Sequence, residues 1–334
     1  MQVSYNPLFP SFRAWQLPEP PEPPRLLAEL ASNHQASSNE KPPGEPSAPS
    51  AGSIGQSPVV QAFLLRLQEL GMSYRPGTDG DDKLSGWSKS LADGGDGNDT
   101  INVWSDSVVD GGAGDDLIRA WSGSAVYGGT GNDRINAWSD SAVDAGDGDD
   151  MVRAWSNTVT MGGAGNDKIS AWSESMVDGG AGNDTISVWS ASRAYGGSGD
   201  DSITALVGGY VEGGAGNDTI DADNGTIASG GTGDDVIRAD RGATILFNAG
   251  DGKDTIFAQR DVTIKLGNGL SAENMNVSMS GSVATVSFGD GSDQLTLDVG
   301  AYPVNLSFAD GTSMEIKADL FRALRAQPPE AKSA

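Results

Sequence analysis

The 334-residue chain has no cysteine and a single histidine, His34. Without thiols, disulfides and thiolate metal sites are excluded, and a fold meant for an oxidising compartment needs another staple. With one histidine, a His-Glu-x-x-His zinc helix is excluded as well, and His34 reads as a solvated loop position. No stretch approaches 18 apolar residues, so nothing reads as a membrane-spanning helix. Residues 1–30 lack a basic region followed by an apolar run, which argues against a cleaved export signal. A basic stripe is missing too, so nucleic acid is not an expected partner. No Gly-x-Ser-x-Gly elbow supplies a hydrolase nucleophile. Gly252-Lys253-Asp254 lacks both the following Ser/Thr and the first glycine of a phosphate loop.

What is present is acid, glycine and a period. The net charge is -25, and residues 77–254 hold 31 acidic against 10 basic side chains. Over that stretch the sequence repeats every 17 residues, as Gly-Gly-x-Gly-(Asn/Asp)-Asp-x-Ile-x, with turns opening at Gly77, Gly94, Gly111, Gly128, Ala145, Gly162, Gly179, Gly196, Gly213 and Gly230. An eleventh turn at Ala249 follows a 19-residue step. A fixed period is the signature of a solenoid in which each copy is one stacked coil. The glycines allow positive φ and inward carbonyls, and one aspartate recurs at a single phase of the turn. An oxygen-only ligand set of this kind selects calcium. Carboxylates repeated along one edge read as metal ligands rather than as a glycosidase acid/base pair, so no catalytic residue is assigned and the chain is read as non-enzymatic.

Each coil offers a thin core: an isoleucine such as Ile118, a valine such as Val126 and a small residue such as Ala120. Packing on that scale does not offset the entropy of ordering 17 residues beside stacked aspartates. Metal ligation is then expected to supply folding free energy.

These turns resemble those of the RTX family, calcium-binding proteins built on the nonapeptide Gly-Gly-x-Gly-x-Asp-x-hydrophobic-x. The resemblance covers about residues 77–259. It implies an all-β fold, a parallel β-roll, with each calcium held between stacked turns by carboxylates and turn carbonyls. Carried over to this chain, the carboxylates are those of Asp82, Asp99, Asp116, Asp133, Asp150, Asp167, Asp184, Asp201, Asp218, Asp235 and Asp254. The glycines opening the turns supply the carbonyls: Gly94, Gly95 and Gly97; Gly111, Gly112 and Gly114; Gly128, Gly129 and Gly131; Gly146 and Gly148; Gly162, Gly163 and Gly165; Gly179, Gly180 and Gly182; Gly196, Gly197 and Gly199; Gly213, Gly214 and Gly216; Gly230, Gly231 and Gly233. In the family the nonapeptide occupies both edges of an 18-residue coil. Here every second turn is the shorter Trp-Ser-x-Ser, so calcium is expected on one edge only, with up to about ten ions between eleven turns.

The second edge carries Trp87, Trp104, Trp121, Trp138, Trp155, Trp172 and Trp189, which a parallel roll stacks roughly 4.8 Å apart. Two readings stand for this column. It is either a structural cover for turns without metal, or a ligand face for glycans or a surface or host protein.

Around the roll, residues 1–56 read as a disordered Pro/Ser-rich arm. Residues 57–76 read as a capping helix and linker, with Val60, Phe63, Leu64, Leu67 and Leu70 on one face and Gly71 as the stop. Residues 260–315 read as a small β-rich cap, and 316–334 as a terminal helix and tail. The stretch 247–316 also resembles the domain that often follows such repeats. That implies secretion by type I export on an uncleaved C-terminal signal, with folding near the roughly 10⁻⁴ to 10⁻³ M calcium of extracellular modules. Surface attachment is the expected use. The alternatives are a carbohydrate-binding module and an effector injected into a host.

Overall fold

In the computed structural model, which describes residues 65, 68–299 and 302–317, each 17-residue period carries the chain once around a coil of two strands and two turns. Val108–Ala113 enters the glycine turn, Leu117–Ala120 leaves it, and the tryptophan turn leads on to Ala125–Thr130. The turn needs glycine for two reasons. Gly112 and Gly114 have φ of 101° and 129°, where L side chains are strained. A Cβ on either would also strike a carbonyl of the preceding coil, that of Gly95 or Gly97.

Successive coils stack in parallel and in strict register. Val109 lies opposite Val126, and Ile118 opposite Ile135. Two 14-stranded sheets result. One presents valine inward (Val109, Val126, Val143, Val177, Val211), the other isoleucine (Ile101, Ile118, Ile135, Ile169, Ile186), and all of these are buried. Period-2 alternation sends the intervening residues, such as Asn102 and Arg119, outward.

Alanine replaces valine in this column at Ala92, Ala194 and Ala228, and one position is polar. Thr160 is buried there, and its hydroxyl has no hydrogen-bond partner. An unsatisfied buried hydroxyl costs about 1–3 kcal/mol, and valine has nearly the same shape. Thr160→Val is therefore expected to raise unfolding free energy by about 1 kcal/mol or more, measured by denaturant titration in calcium.

The roll is longer than the repeat signature. Ser73–Thr78 already pairs in parallel with Ser90–Gly95, and Thr263–Leu266 extends the valine sheet past residue 259. The expected β-rich cap continues the two sheets of the roll. Asp293–Asp298 adds in parallel to Lys253–Ala258, then Val283–Phe288 and Met275–Ser280 follow antiparallel. Val304–Ser307 and Ser313–Ile316 close the other sheet in the same way. One hydrophobic cluster runs without interruption from Ala92 to Ile316. The reason is that strand ladders and core need only alternating apolar residues, which persist after the glycine turns cease.

Of the expected capping helix, Leu65, Gln68 and Glu69 are helical, and the Gly71 N–H closes on the Gln68 carbonyl at 3.0 Å, φ 69°. Leu70, expected on the inward face, is 52% exposed. Val60, Phe63, Leu64 and Leu67, the arm 1–56 and the tail 318–334 lie outside the described residues. Among the described residues, no helix is long and apolar enough to cross a membrane.

Candidate metal centre

The register that stacks like on like also stacks the aspartates. From Asp82 to Asp218, the backbone N–H of each donates to Oδ1 of the aspartate 17 residues on, at 2.7–2.8 Å. Each carboxylate is thus held by a neighbouring coil, in one rotamer, with its second oxygen aimed into the turn. That second oxygen is orphaned. In Asp99, Asp116, Asp133, Asp150, Asp167, Asp184, Asp201, Asp218 and Asp235, Oδ2 is buried and has no hydrogen-bond partner.

A second feature marks the space in front of these oxygens. At Gly94 an added Cβ would collide with the turn's own Asp99 Oδ2 and with the carbonyl oxygen of Gly111 on the next coil. The same pair of walls, own carboxylate and next carbonyl, recurs at Gly111, Gly128, Gly162, Gly179, Gly196 and Gly213. Seven equivalent oxygen-lined cradles result. Among the described residues no three acidic or histidine side chains converge. Any cation here is therefore ligated by one carboxylate per turn plus backbone carbonyls, a hard, all-oxygen set of the kind calcium takes.

The electrostatics agree. Burial drives the carboxyls of Asp116, Asp218 and Asp235 up to about 6 and those of Asp133, Asp150 and Asp184 up to about 7. The backbone N–H bond partly offsets this in each case, and neighbouring carboxylates add to it. Asp99, Asp167 and Asp201 are raised for the same first reason. A row of buried acids with raised pKa and idle oxygens is stable at neutral pH only with counter-charge in the cradles.

Four segments, residues 105–124, 176–189, 191–208 and 210–226, match the RTX calcium-binding nonapeptide repeat. The chain carries RTX calcium-binding repeats. No curated protein matches it. Among solved structures it is similar to the crystal structure of extracellular lipase LipA from Serratia marcescens, at 17% identity and a TM-score of 0.24. That similarity covers 57% of this chain and 37% of the lipase chain, so this chain spans well under half of that structure's length.

The RTX turns at the ends of the array differ from those inside it. Asp82 Oδ2 is already occupied, accepting from the Thr78 N–H at 2.7 Å and the Thr78 hydroxyl at 2.8 Å. At Gly230 only Asp235 crowds the Cβ position, because the 19-residue step moves the next turn's opening carbonyl away. Asp254 is buried, and burial pushes its carboxyl up to about 8, but it accepts the Asp235 N–H at a longer 3.2 Å. The sequence-predicted ligands are therefore brought into one line, with both walls and an unpartnered Oδ2 together only in the interior.

One ladder escaped the sequence reading. The residue before each metal aspartate also bridges coils, in the opposite direction: the Asp115 N–H donates to Asn98 Oδ1 at 2.7 Å, and the Asn132 N–H to Asp115 Oδ1 at 2.8 Å. The restriction of this position to Asn or Asp was the visible signal, since either side chain presents an Oδ1 acceptor.

At the opposite edge the seven tryptophans form one column. Consecutive ring centroids lie 4.3–5.7 Å apart, with planes 2–15° from parallel. Beneath them the second serine of each turn locks the coils together: Ser175 Oγ donates to the Trp155 carbonyl at 3.1 Å and accepts the Thr158 N–H at 3.3 Å. The indole faces inside the column are thus stacked on each other. Trp87, 75% exposed, begins the stack and Trp189 ends it, and Trp104, Trp121 and Trp189 are exposed to a lesser degree. Sugar rings stack on faces, so this geometry suits the structural reading of the column better than a glycan platform. Trp138→Ala, which removes two stacks at once, is expected to cost about 2–3 kcal/mol, read as a lowered denaturant midpoint.

Proposed function

We propose that this calcium-binding repeat protein is secreted unfolded and becomes a β-roll only when it meets extracellular calcium. The observation that carries the reading is the line of nine buried aspartate Oδ2 atoms without partners. Such oxygens oppose folding until a cation enters, and a site absent from the unfolded chain turns its binding free energy into folding free energy. At low intracellular calcium the same aspartates repel, and the chain stays extended and export-competent. Outside, about seven ions fill the interior cradles and the roll closes. Type I export fits this order of events, because it passes unfolded chains. Attachment to a cell surface or matrix is the use we assign to a roll with a long repetitive surface.

The test is circular dichroism during a calcium titration of the chelated full-length chain. The expected result is a cooperative rise of β signal between about 10⁻⁴ and 10⁻³ M calcium, with magnesium ineffective at equal concentration because it dehydrates reluctantly and demands octahedral geometry. A chelated sample with undiminished β signal would falsify the proposal.

A further inference from the structure

At their opening position the interior RTX turns are alike except for one. In the turns opening at Gly94, Gly111, Gly128, Gly162, Gly179, Gly196 and Gly213, the first glycine leaves free the point where its own Cβ would collide with the turn's carboxylate and the next coil's carbonyl. The turn Ala145-Gly146-Asp147-Gly148-Asp149-Asp150 has alanine there. Its methyl is fully buried.

The register and the carboxylate bonds of that turn are those of its neighbours. Asp144 stays opposite Met161 and Gly146 opposite Gly163. Asp150 Oδ1 still accepts the Asp133 N–H at 2.7 Å, and the Asp150 N–H still donates to Asp167 Oδ1 at 2.8 Å. The Ala145 carbonyl still walls the cradle of Gly128, so the site before it is intact. Asp150 Oδ2 remains buried and without a partner. The backbone is that of a metal turn, with a carbon placed where its neighbours keep room.

We propose that Ala145 blanks the calcium site between its own coil and the one opening at Gly162. The ion ladder is thereby divided into a block of three sites, at Gly94, Gly111 and Gly128, and a block of four, from Gly162 to Gly213. This rests on the calcium reading above and adds an internal boundary to it. In a solenoid each coil is stabilised only by its neighbours, so between Gly94 and Gly213 the interface lacking an ion is the weakest. At limiting calcium the roll parts there first, and the two blocks fill separately.

The experiment counts bound calcium per full-length chain by equilibrium dialysis with atomic spectroscopy, and follows folding by circular dichroism, for the wild type, Ala145→Gly and Gly179→Ala. Ala145→Gly is expected to bind one ion more than the wild type, and to fold in a single steeper transition at lower calcium. Gly179→Ala is expected to bind one fewer. Should Gly179→Ala fail to fold, the gain in Ala145→Gly remains decisive. Equal ion counts in the wild type and Ala145→Gly overturn the boundary while leaving calcium-driven folding in place. A wild type that binds no calcium overturns both.

Discussion

Stripped of calcium at about pH 7.5, the roll is expected to lose its β signal, and to recover part of it on acidification to about pH 4.5. The sign follows from the buried aspartates. In the folded, metal-free chain burial raises these carboxyls, to about 6 at Asp116 and about 7 at Asp133, against about 3.9 for an unfolded aspartate. Between those values the folded state binds more protons, so its stability falls as pH rises. Below about pH 4 both states are protonated and the penalty is gone; above about 7 it is complete. With calcium the slope reverses, because the cation holds the carboxylates ionised and protons compete with it. Denaturation profiles with and without chelator should therefore cross, and parallel profiles would show that these carboxylates meet no cation.

Gly197→Ala is expected to cost about 3 kcal/mol or more, a large effect for one methyl group. Gly197 has φ 114°, and its Cβ would meet the backbone carbonyl of Gly180 rather than a side chain that can turn away. The backbone strain alone is about 1–2 kcal/mol, and relieving the collision separates two coils on the calcium edge. The neighbouring exposed Ser198→Ala, on the same strand, is the control and should lie within about 0.5 kcal/mol of wild type. Calcium-dependent unfolding midpoints of the two variants give the comparison. Equal midpoints would mean that the coils are not packed at this spacing.

Most of the architecture was legible because the repeat writes the same instruction many times. A single Gly-Gly-x-Gly-x-Asp is weak, but ten turns in phase fix the coil length, the inward Ile and Val, and the metal edge. Two things were illegible for a physical reason. The extensions of the roll at Ser73–Thr78 and Thr263–Leu266 carry no turn signature, only alternation, and alternation does not reveal which sheet a strand joins. The occupation of Asp82 Oδ2 by Thr78, and the withdrawn carbonyl beyond Gly230, depend on geometry at the array ends, where a ligand residue is present but its partner coil is not equivalent. The Trp-Ser-x-Ser turn hid one more requirement. Its third residue takes positive φ, as Lys89, Asp106, Asp140, Asn157, Glu174 and Ala191 do at 53–60°. Gly123 fills the same position, so the sequence tolerates mild strain there instead of specifying glycine.

The strict 17-residue register has a consequence for how such a chain can change length. An insertion or deletion of one residue inside a coil would throw isoleucine to the solvent side, pull aspartate off its edge and derail the indole column downstream, all together. Removal or duplication of an entire coil leaves every column aligned, since Val159–Ala164 matches Ala142–Asp147 as well as it matches Met176–Ala181. Viable length variants of this molecule should therefore come in whole-coil increments, each adding or subtracting one rung of about 4.8 Å.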